Sequence, residues 1–163
     1  MIAKIMALLR YLVGGIGLFF GLLLINSGQL TEGVAITSLT AVGLVGIISF
    51  VSHSIFHKQD AKIIKLNAVK DDFQIEVGFA NLALGLSALI AYIANLGFQV
   101  NTILIFAYGI YLLQAGVLHS IRSMSGKKKD YAHLVRGGLV TFLYCIGMFY
   151  VVYSAVVSPK FYG

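Results

Sequence analysis

FQIEVGFANLALGLSALIAYIA, Phe73 to Ala94, is a run of twenty-two residues with a single charge, Glu76. As a helix rising about 1.5 Å per residue, it is long enough to cross the roughly 30 Å of hydrocarbon in a bilayer. It contains no proline, and its Gln74, Gly78, Asn81, Gly85 and Ala88 recur at helical spacing. That stripe is small and polar, so it belongs against other helices rather than against lipid. Glu76 sits roughly 140° around the helix from Asn81 at about 100° per residue.

Four further runs of the same kind flank it, giving helices over about 5–25, 33–56, 73–94, 102–121 and 137–157. In lipid, open backbone groups find no partner, so each run is expected to be helical. The fold class is therefore all-α, an integral membrane bundle of five transmembrane helices in a single domain, 1–163. Composition agrees. Of 163 residues 59% are hydrophobic and 11% charged, with a mean hydropathy of +0.91. A soluble domain carries about 25% charged residues, and one of this size still exposes roughly a third of its surface. This excludes a soluble enzyme, a disordered chain and a disulfide scaffold. Cys145 is the only cysteine and lies in an apolar run, where it reads as a packing residue. The first helix has the basic start of a signal peptide, Lys4 and Arg10, but no small-x-small site follows, so it reads as retained.

The basic residues orient the bundle. Lys4 and Arg10 lie at the first helix. Lys58, Lys62, Lys65 and Lys70 lie in the second loop, and Arg122, Lys127, Lys128, Lys129 and Arg136 around the fourth. Loops one and three have none, and Lys160 stands alone in the tail. Eleven basic residues on one side against one on the other predict a cytoplasmic N-terminus and an external C-terminus. The location expected is a bacterial-type inner (plasma) membrane. The +6 net charge follows from this asymmetry, and no aromatic-basic interleaving points to nucleic acid. The partner is the lipid bilayer. Residues 57–72 read either as an amphipathic surface helix or as a solvated linker. Gly14, Gly17 and Gly21, then Gly78 and Gly85, suit close helix packing, within one chain or in a homo-oligomer.

Ionisable groups inside a membrane are costly and point to function. Glu76 matches His119 in depth because helices three and four run antiparallel, and Asn81 likewise matches Gln114. His53 and His57, four residues apart, share a face at the end of helix two. The ligand-binding candidates are Glu76, Asn81, Gln114, His119 and Gln74. The metal candidates are His53, His57, His119 and Glu76, nitrogen and oxygen donors that suit a divalent ion such as Zn²⁺. Paired histidines would equally serve haem. A carboxylate beside histidines relays protons, and an inner-leaflet cleft seats a lipid or quinone head. In the plain structural alternative, Glu76 pairs with Arg10 or Arg136 and the histidines are interfacial. His133, in a charged loop, is ordinary. No Ser-His-Asp set, phosphate loop, HExxH or CxxC is present, so the reading leans away from an enzyme. The function expected is a small membrane protein binding an ion, proton or lipid-like ligand at its cytoplasmic leaflet. The alternatives are a membrane oxidoreductase or cofactor binder, and an accessory subunit of a membrane complex.

Phe73, Gln74, Glu76, Gly78, Phe79, Ala80 and Asn81, followed by Gly85, resemble a stretch opening a helix in a family of small uncharacterised prokaryotic multi-pass inner-membrane proteins, defined as a domain of unknown function. Gly116 with His119 and His53 with Phe56 extend the resemblance. It implies the same multi-pass architecture and points at these residues without implying a reaction.

Overall fold

A computed structural model describes residues 2–56, 71–125 and 134–162 of the chain. Within them lie five long helices and no strand. We label them α1 (Ile2–Asn26), α2 (Leu30–Ile55), α3 (Asp71–Ile93) and α4 (Phe98–Ser125). The fifth, α5, is a wide turn, Leu134–Leu139, running into the α-helix Val140–Val156. All five are long and apolar enough to cross a membrane. The observed helices overlap all five expected spans. α4 overshoots its expected span by four residues at each end, because polar residues at a membrane boundary end the apolar run without ending the helix. His57, His133, the side chain of Arg136 and the whole expected amphipathic segment up to Lys70 lie outside the described residues.

Two turns show why the chain reverses where it does. After α1, Gly28 takes φ +86°, and the Gln29 N–H donates back to Leu24 O at 2.9 Å. After α3, Asn95 takes φ +50° and the Leu96 N–H donates to Ala91 O at 2.9 Å. Both are left-handed terminations that satisfy otherwise orphaned carbonyls.

α2 is the hub, packing against α1, α3, α4 and α5. Lipid tails offer no hydrophobic drive between helices, so close packing and hydrogen bonds must hold the bundle. Glycine supplies the closeness. A Cβ at Gly46 would stand 2.7 Å from the Asn81 carbonyl oxygen and 2.8 Å from Gly85 Cα. α2 and α3 thus touch backbone to backbone. On the other flank, the α1 glycines Gly17 and Gly21 receive the side chains of Thr40 and Thr37. The core between these contacts comprises Val34, Val42, Val45, Ala88, Ile105 and Met148, with Val151 and Ala155 from α5. Outward faces are apolar, as at Phe19, Ile90, Ile103 and Ile146.

α2 is not uniform. Ser38–Leu44 and Val51–Ile55 are π-helical, with hydrogen bonds widened to i+5. Widening withdraws a donor from one carbonyl per bulge. In the first bulge, the Tyr144 hydroxyl of α5 donates to Ala41 O at 3.2 Å. The second bulge carries His53.

Candidate functional site

The end of the bundle where α1 begins is also where α2 ends and α3 begins. Arg10 lies five residues into the first span, roughly 8 Å along its axis. It is half-buried, and its Nη1 lies 3.3 Å from His53 Nε2. Arginine has only donors, so the imidazole nitrogen must accept. No carboxylate whose side chain is described lies within ion-pair distance of Arg10; the side chain of Asp71 is outside the description.

The stripe Gln74, Gly78, Asn81, Gly85 and Ala88 is buried along its whole length. Gln74, at the Arg10 end, is 5% exposed, and its Oε1 has no hydrogen-bond partner. One turn further on, Gly78 lies against Ser54, next to His53 on α2. Asn81 lies near mid-span and is fully engaged. Its Nδ2 donates to Val77 O at 2.7 Å and to the Tyr111 hydroxyl at 2.7 Å. Its Oδ1 accepts from the Tyr108 hydroxyl at 3.0 Å. The two tyrosine rings stack, with centroids 5.9 Å apart. Tyr108 is fully buried beside Ser49, within electrostatic reach of Arg10. Asn81 and the two phenols thus clasp α3 to α4.

The other candidates lie apart. Glu76 is exposed on the opposite side of α3 from the stripe. Gln114 is exposed, turned roughly 60° from Tyr111 at about 100° per residue. His119 is half-buried, with its Cβ 3.2 Å from where a Cβ at Gly137 would stand. Among the described residues, no three His, Cys, Asp or Glu side chains come together as a metal-binding group. His53, His119 and Glu76 therefore do not form one by themselves.

Tyr108, Tyr111 and Ser49 do not figure among the residues singled out from the sequence. A signal was present. Two tyrosines three residues apart share a helix face, and these sit mid-span, far from the interfacial belts where tyrosines collect.

A described set of five apolar helices, crossing at glycines and clasped by buried polar groups, defines a small multi-pass membrane protein. The chain belongs to a family of unknown function, DUF6790, whose family model matches residues 5–157. No curated protein and no solved structure matches the chain.

Proposed function

We propose that this protein, a single transmembrane domain of an inner (plasma) membrane, binds an anionic, lipid-like ligand at its cytoplasmic leaflet through Arg10 and His53. The observation that carries this reading is the state of Arg10. It is a guanidinium inside the first span, bonded to the His53 imidazole and with no partner among the carboxylates whose side chains are described. Charge at membrane depth is expensive unless it is neutralised or reaches water. A phosphate-bearing head group of net negative charge supplies a counter-charge to Arg10 and suits the planar donor fork of arginine. The 11-to-1 distribution of basic residues supports an inner-leaflet location for this end.

Native mass spectrometry of detergent-purified protein tests the reading. Phosphatidylglycerol adducts should persist where phosphatidylcholine adducts strip away, and Arg10→Gln should abolish the difference. Equal retention of both lipids by the unaltered protein would overturn it. Elemental analysis of the same sample reports any bound metal.

A further inference from the structure

α1 and α2 leave an open apolar groove of about 530 Å³, lined by Leu12, Val13, Ile16, Phe20, Leu24 and Ile36, with Gly17 and Thr40. Its lining begins two residues beyond Arg10 on α1. The Thr40 hydroxyl already donates to Ile36 O at 2.7 Å, which leaves no polar hook in the groove. From Leu12 to Leu24 it follows α1 for roughly 18 Å, against about 15 Å for one leaflet of hydrocarbon. A groove of this shape, with a cation at the same end of α1 whose described partner is an imidazole, has the charge and polarity pattern of an anionic amphiphile.

We propose that this groove holds the ligand's tail: a single long apolar chain whose anionic head rests on Arg10 and which reaches past the bilayer midplane. The proposal takes the head-group site from the reading above and adds the class of molecule, a long-chain anionic lipid rather than a short anion. Arg10 has five donors and His53 uses one, so the head binds without releasing α1 from α2. The apolar walls recognise the tail by contact alone, so selectivity over ordinary bilayer lipid comes from the charge.

The test uses the full chain in phosphatidylcholine vesicles doped with a lipid bearing a diazirine midway along one acyl chain, with either a glycerol-phosphate or a choline head. The anionic probe should label the Leu12–Leu24 segment about tenfold more than the choline probe, the factor expected for one charge-assisted hydrogen bond. Arg10→Gln should remove that preference. Ile16→Trp, at a lining position that is 54% exposed and so free of core packing, should reduce the labelling while leaving the fold intact. Leu12→Trp, 49% exposed, is the second groove-filling variant. Equal labelling by the two probes would overturn the inference. Arg10-dependent retention of phosphatidylglycerol with the label falling outside the groove would overturn it too, but leave the head-group site standing. Loss of any Arg10 dependence would remove both.

Discussion

Replacing Asn81 with leucine cuts every side-chain hydrogen bond between α3 and α4 that the amide makes. Two of these cross between helices, to Tyr111 at 2.7 Å and from Tyr108 at 3.0 Å. Interhelical hydrogen bonds in membranes average about 0.6 kcal/mol and reach about 1.7. The larger cost falls on Tyr108. Its hydroxyl, in a residue that is 0% exposed, loses the Asn81 acceptor and is left with the neighbouring Ser49 side chain, at about 1–3 kcal/mol. Tyr111 suffers less, because it keeps Val77 O at 3.4 Å. The expected destabilisation of Asn81→Leu is about 2–4 kcal/mol. Reversible denaturant unfolding in bicelles, followed by helical circular dichroism, measures it. Tyr108→Phe removes the stranded hydroxyl, so the double variant should cost less than the two single ones together, by about 0.6–1.7 kcal/mol. Additivity within about 0.3 kcal/mol would refute the clasp, because uncoupled sites add to that accuracy.

Gly85→Leu pushes side-chain atoms at Gly43 O, 2.9 Å from the new Cβ, and should destabilise by at least about 1–3 kcal/mol. Gly15→Ala meets open space and should stay within about 0.5 kcal/mol in the same assay. Tyr144→Phe frees the Ala41 carbonyl of the first π-bulge at about 0.6–1.7 kcal/mol, and hydrogen exchange at that bulge should rise. For topology, a cysteine at Asn95 should react with a membrane-impermeant reagent in intact cells and one at Lys128 should not; the reverse pattern would invert the bundle.

The five spans are plain in the sequence because length and hydropathy need no knowledge of neighbours. The α3 stripe was legible for a related reason. Polar and small residues at helical spacing have one sensible direction to face, and the same spacing turns Glu76 away. What pairs with what was not legible. Gly17 and Gly21 announce close packing, yet only the rotation of α2 decides that Thr40 and Thr37 fill them. Depth alone pairs Asn81 with Gln114. In the structure the long tyrosine side chains reach Asn81 instead, and Gln114 is rotated outward. The π-bulges leave no trace in composition, yet each adds a residue to a turn and shifts the face of everything after it. His53 lies inside such a bulge.

That shift ties the hub to the proposed ligand. α2 is half-buried along its span and α1 far less, and α1 is seated chiefly on α2. Toward the outer end this seating runs through the close glycine–threonine contacts, Gly17 with Thr40 and Gly21 with Thr37. At the Arg10 end the contact includes a single 3.3 Å bond to a side chain within a bulge. A π-turn can return to α pitch by moving one residue out of register, which would carry His53 roughly 100° around the helix and away from Arg10. An anion on Arg10 acts on this equilibrium only through its preference for one arrangement over the other. A head group that uses the donors left free by His53 binds the paired arrangement as it stands, and it neutralises the charge that makes α1 costly in lipid. Because it would bind the folded bundle and not the unfolded chain, the same lipid should raise the unfolding stability of the bundle as its concentration rises above its Kd.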